Sequence, residues 1–136
     1  MTFGHVQAEE ARRFGYPPAH RLVVDAYMAQ HPGDPADRRE RQSVFVHLVG
    51  LCAVLEAGMA PRGTTDLLRR VLRAHEEIPV LRRSSGPGEL TVLHVLRPRD
   101  LSDYKQRATT WATAVWRAWS EHHGVIRAAL ASVPGR

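Results

Sequence analysis

The run over residues 42–55, Gln-Ser-Val-Phe-Val-His-Leu-Val-Gly-Leu-Cys-Ala-Val-Leu, is apolar on every side of a helix. A helix on the surface of a globular protein carries a single apolar stripe. This segment therefore belongs in the middle of the molecule, with neighbours all round. His47 lies in its midst and Gln42 at its entrance. An imidazole in such a place must be hydrogen-bonded, metal-bound or chemically used, because an unpaired buried polar group costs about 1–3 kcal/mol.

A chain of 136 residues fits one domain, 1–136, and can bury one core without staples. No apolar run reaches the ~18–20 residues of a membrane span, and the first residues are polar, with Glu9 and Glu10, unlike a signal peptide. The single cysteine, Cys52, allows no internal disulfide, so the expected home is a reducing cytoplasm. The net charge of +5 comes with arginine clusters at Arg38-Arg39-Arg41, Arg69-Arg70-Arg73 and Arg82-Arg83. No basic stripe is interleaved with aromatics and no nucleic-acid-binding motif occurs, so nucleic acid is set aside as a partner.

A short helix is expected over 6–14, with Glu10 and Phe14 on one side and Glu9 and Glu10 as a solvated first turn. Pro18 opens a second helix that stops at Pro32-Gly33. His20, Val24, Tyr27 and His31 form one stripe on it. His20 and His31 are ~16 Å apart along the axis, too far to share a metal ion, and His31 suits a C-terminal cap. Asp25 follows Arg21 by four residues, the spacing of an exposed ion pair. Asp34-Pro35-Ala36-Asp37 signals the start of the central helix, which runs to about Ala57 and ends at Gly58. The short connection makes an antiparallel hairpin. Counted from the middle of the loop, His20 is level with His47 and Asp25 with Gln42.

Thr64 or Thr65 caps a helix over 66–75 with Leu68, Val71 and Leu72 as its apolar face and His75 near its end. Residues 89–96 are the only strand-like stretch, rich in Thr91, Val92 and Val95 and closed by Pro98. One strand makes no sheet, so the expectation is an extended strap across the helices. Asp100 or Ser102 caps a last helix running to about Ser132. Trp111, Val115, Trp119 and Ile126 face inward on it, and His122 and His123 flank that direction. The fold class is all-α: a helical bundle of four to five helices with one extended strap.

The run His20-Arg21-Leu22-x-Val24-Asp25-Ala26-Tyr27-x-x-Gln30-His31-Pro32-Gly33 resembles the signature of an uncharacterised family of small bacterial helical proteins. The resemblance extends through Gln42-Ser43, His47-Leu48, Leu51-Cys52 and Thr91-Val92 to Trp111-Ala112-x-x-Val115-Trp116-x-Ala118-Trp119-x-x-His122-His123. It implies that His20, Asp25, Tyr27, Gln30, His31, Gln42, His47, His122 and His123 belong to the family pattern. Many members begin with a cysteine-containing segment that looks zinc-binding, which this chain does not have. The family supplies no activity.

Three readings follow from these residues. In the first, His20, His47 and one of His122 or His123, with Glu10 or Asp25 as a carboxylate, hold a divalent metal such as zinc or iron, and Tyr27 or His31 moves protons for a small-molecule substrate. In the second, His20, Asp25, Tyr27 and Gln42 line a metal-free acid–base pocket, with Gln42 binding the ligand. In the third, the same side chains form a structural hydrogen-bond network in a binding module.

Overall fold

The computed structural model describes residues 20–60, 64–75, 77–83, 86 and 90–133. The helix expected over 6–14, with Glu9 and Glu10, lies outside them, as do Pro17, Pro18 and Ala19. The described residues form five α-helices and two 3-10 turns, with no strand: α1 (His20–Gln30), α2 (Arg38–Leu55), α3 (Thr64–Ala74), a turn at Val92–Val95, α4 (Leu101–Ala118), a turn at Ser120–His122, and α5 (His123–Ala131).

The expectation for the apolar run is met, for α2 touches α1, α3, α4 and α5. Val44, Phe45, Leu48, Val49, Leu51, Cys52 and Ala53 are all buried in it. Burying a side chain the size of Val, Leu or Phe is worth about 1.5–3 kcal/mol, so this one helix anchors the core. Its start comes later than the Asp-Pro signal suggests. Asp34 instead closes a turn before the helix, its Oδ1 accepting from Ala36 N–H and its carbonyl from Asp37 N–H. Asp37 is the N-cap, accepting from the N–H groups of Arg39 and Glu40. At the far end Gly58 takes φ 71° and Met59 N–H returns to the Ala53 carbonyl at 3.0 Å, the left-handed closure for which glycine carries no Cβ penalty.

Two expected elements take another form. The strand-like segment turns as a 3-10 helix at Val92–Val95, with Thr91 Oγ1 accepting from Leu93 N–H. A lone strand leaves its backbone groups without a ladder, whereas a 3-10 turn bonds its own and stacks residues i and i+3; Val92 and Val95 are thereby both buried. The last helix is broken. Trp119 leaves helical geometry with ψ at 20°, and α5 restarts at His123. Backbone bonds of 3-10 type cross the break, from Trp119 N–H to the Trp116 carbonyl and from His122 N–H to that of Trp119, and His123 adds a side-chain clamp: its Nε2–H donates to the Trp116 carbonyl at 2.7 Å and its ring stacks on that indole at 3.8 Å. The inward face is as expected, with Trp111, Val115, Trp119 and Ile126 all buried.

Polar contacts lock the outer elements onto α1 and α2. Gln30, buried at the end of α1, donates through Nε2 to the Leu90 carbonyl and accepts from Trp111 Nε1–H. Trp119 Nε1–H donates to the Ala29 carbonyl at 3.1 Å. Glu56, just past α2, accepts from Trp116 Nε1–H and from two nitrogens of Arg127 on α5.

Candidate functional site

Arg21 and Asp25 lie one turn apart on α1, and His47 and Gly50 nearly one turn apart on the facing side of α2. Asp25 has no solvent exposure, which corrects the expectation of an exposed ion pair. Its Oδ1 accepts from His47 Nδ1–H at 2.8 Å and stands 3.4 Å from Arg21 Nε. Its Oδ2 is buried and has no hydrogen-bond partner among the described residues. Arg21 keeps 28% exposure and His47 13%, so the carboxylate is the closed end of the group, the imidazole reaches the surface in part, and the guanidinium is its most open end.

Gly50 makes room for this carboxylate. A Cβ at position 50 would stand 2.4 Å from Asp25 Oδ2 and 2.8 Å from its Cγ, closer than any real carbon can approach. Burial pushes the Asp25 carboxyl above its usual range, against the pull of the His47 hydrogen bond and of the Arg21 and His47 charges. His20, at the start of α1, is pushed below the usual histidine range by burial and then by Arg21.

The contact between the two helices that carries the site runs from Asp25 to His47, two residues that counting along the hairpin does not set level. Residues 34–37 turn instead of adding helical rise, and side chains lean toward the N-terminus of their own helix. In antiparallel helices the two leans are opposed. A histidine about 13 Å into α2 thus reaches back to an aspartate about 8 Å from the end of α1, at ~1.5 Å per residue.

His31, His122 and His123 make contacts of their own. His31 Nδ1–H donates to the Tyr27 carbonyl, and the two rings stand 4.4 Å apart, at the loop end of α1; that is the C-terminal capping role expected of His31. Gln42 is half-buried on α2, five residues before His47. His122 Nε2–H donates to the Arg82 carbonyl at 2.7 Å, and His123 to that of Trp116. His122 and His123 thus hold two different carbonyls. Glu10 lies outside the described residues. Among the described residues, no three His, Cys, Asp or Glu side chains are grouped as a metal ion requires.

Sequence reasoning overlooked Gly50, although a glycine inside a helix costs about 1 kcal/mol relative to alanine and so signals a close approach. It also gave Arg21 only a surface role. Gln30 was named solely as part of a family pattern, yet it is buried and bonded on both ends of its amide.

The described fold and site define an all-helical protein with a carboxylate-held histidine between α1 and α2. The chain belongs to a family of unknown function, DUF5946, whose model matches residues 1–120. No curated protein and no solved structure matches it. No helix among the described residues is long and apolar enough to cross a membrane.

Proposed function

We propose that His47 is the reactive group of a small-molecule site, with Nε2 as the proton acceptor and donor and Asp25 as the positioning residue behind it. The observation that carries this reading is the Asp25–His47 hydrogen bond: a buried, acceptor-only carboxylate on Nδ1 fixes the tautomer that leaves the Nε2 lone pair unspent. A general base needs that tautomer, together with an orienting partner. Gly50 supports the same reading, since a helix that gives up its side chain at that point gains the room Asp25 occupies. The buried thiol of Cys52 fits a reducing cytoplasm.

Diethyl pyrocarbonate, which reacts with unprotonated imidazole nitrogen, tests the proposal directly. His47 is expected to be modified at Nε2, and Asp25→Asn should slow that modification. Modification of His47 at Nδ1, or at an unchanged rate in the Asp25→Asn protein, would overturn it.

A carboxylate on the far nitrogen is also the arrangement that orients metal-bound histidines, which favours a second reading with His47 Nε2 as one ligand to zinc or iron. Further ligands would then come from outside the described residues. Elemental analysis of untagged protein beside the His47→Ala variant decides it: metal present and lost in the variant supports this reading, and metal retained in the variant contradicts it.

A further inference from the structure

At the loop end of α1, the 31–37 loop and the extended segment over 78–83 border an open cavity of about 220 Å³. Its walls include Pro32, Pro35 and Trp119, and Arg82 and Arg83 contribute its charge. Arg83 is held in place twice. Its Nη1–H donates to the Gln30 carbonyl at 3.1 Å, and its guanidinium carbon stands 5.5 Å from the centre of the Trp119 ring. Its Nε–H is shut off from solvent and has no hydrogen-bond partner among the described residues. The neighbouring Arg82 presents an exposed side chain on a backbone fixed by His122 at its carbonyl.

This is a preorganised cation. One donor is spent on a backbone carbonyl, one face is covered by the indole, and another donor is left over in a closed place. The acidic groups on and beside the loop are engaged: Asp37 caps α2, Asp34 Oδ1 accepts from Ala36 N–H, and the Glu40 carboxylate accepts from Asp34 N–H and lies against Gly33. Asp34 itself is exposed. Arginine matches the planar geometry of oxyanions and holds them by paired hydrogen bonds. The volume sets the size of the guest: it exceeds the ~150 Å³ of a cavity that takes one benzene and falls below the ~300 Å³ at which drug-sized pockets begin.

We propose that this cavity binds the carboxylate or phosphate group of a small anionic molecule, with Arg83 as its inner and Arg82 as its outer ligand. The site is separate from the Asp25–His47 pair and stands or falls without it. Inorganic phosphate and acetate are the probes, each titrated against a chloride control of equal ionic strength while the indole N–H resonances of the three tryptophans are followed. Saturable movement of the Trp119 resonance, with Trp111 still, is the expected result, and the tighter probe names the group. Arg83→Met, which keeps the aliphatic stem over the indole, should weaken binding at least tenfold. Arg82→Met, a change at an exposed side chain, should weaken it severalfold and serves where Arg83→Met fails to fold. Titrations without saturation for both probes, or an affinity unchanged in the Arg82→Met protein, would overturn the site.

Discussion

The carboxylates of Glu56 and Asp25, both beside α2, are treated in opposite ways. Glu56, at its exposed end, has every oxygen in use: Oε1 accepts from Arg127 Nε–H and from the Cys52 thiol, and Oε2 from Arg127 and from Trp116 Nε1–H. Those donors, the Arg127 hydrogen bonds foremost, hold its carboxyl down at about 2. Asp25, in the middle of the α1–α2 seam, has one oxygen engaged and one without a partner among the described residues, and burial holds its carboxyl up. Donors satisfied at the surface make a latch. A charge kept in the interior without full compensation is tolerated where it serves something, and here it faces a histidine.

Breaking the interior pair should have the largest effect. His47→Ala removes the hydrogen bond from a fully buried carboxylate and is expected to cost about 3–5 kcal/mol in denaturant unfolding. His47→Gln, which can still offer an N–H, should recover part of the loss.

Next comes the space behind Asp25. Gly50→Ala drives a Cβ into the carboxylate and should cost about 1–3 kcal/mol. In an Asp25→Ala background the same change should be neutral or stabilising by up to about 1 kcal/mol, because alanine is the better helix former. Additive losses in this double-mutant cycle would show that the two positions do not share the space.

The comparison sharpens further in the pH dependence, where the two carboxylates pull in opposite directions. Glu56 binds its proton less tightly folded than unfolded, so its stabilisation is full above 4.5 and is lost as pH falls toward about 2. Asp25 binds its proton more tightly folded, so its contribution declines as pH rises from 3.8 through its raised value. Glu56→Gln should remove the acid-side loss, and Asp25→Asn the decline on the other side, in thermal unfolding followed across pH. At neutral pH Glu56→Gln should be the mildest of these substitutions, as its ion pair is largely exposed.

How far the fold was legible follows from what each signal measures. Periodicity reports which face is buried, and it placed Trp111, Val115, Trp119 and Ile126 correctly. It does not report continuity: the apolar phase carries across the break at Trp119, and the break is held by His123 on the Trp116 carbonyl, a contact that no spacing rule announces. For the candidate site, the residue types Asp25 and His47 were visible and their pairing was not. Counting rise along an axis locates Cα atoms, whereas the hydrogen bond is made by side chains that lean in opposite senses from two helices. Gly50 was the readable clue, a costly residue in an otherwise apolar helix. Thr91, Val92 and Val95 favoured a strand by type, and the absence of a ladder partner decided for a 3-10 turn.

The central claim is that Asp25 fixes the tautomer of His47, and long-range proton–nitrogen NMR of the imidazole tests it most directly. In the neutral imidazole, the account predicts a protonated Nδ1 and a bare Nε2, with the preference lost in Asp25→Ala. A proton on Nε2 in the unsubstituted protein would contradict it.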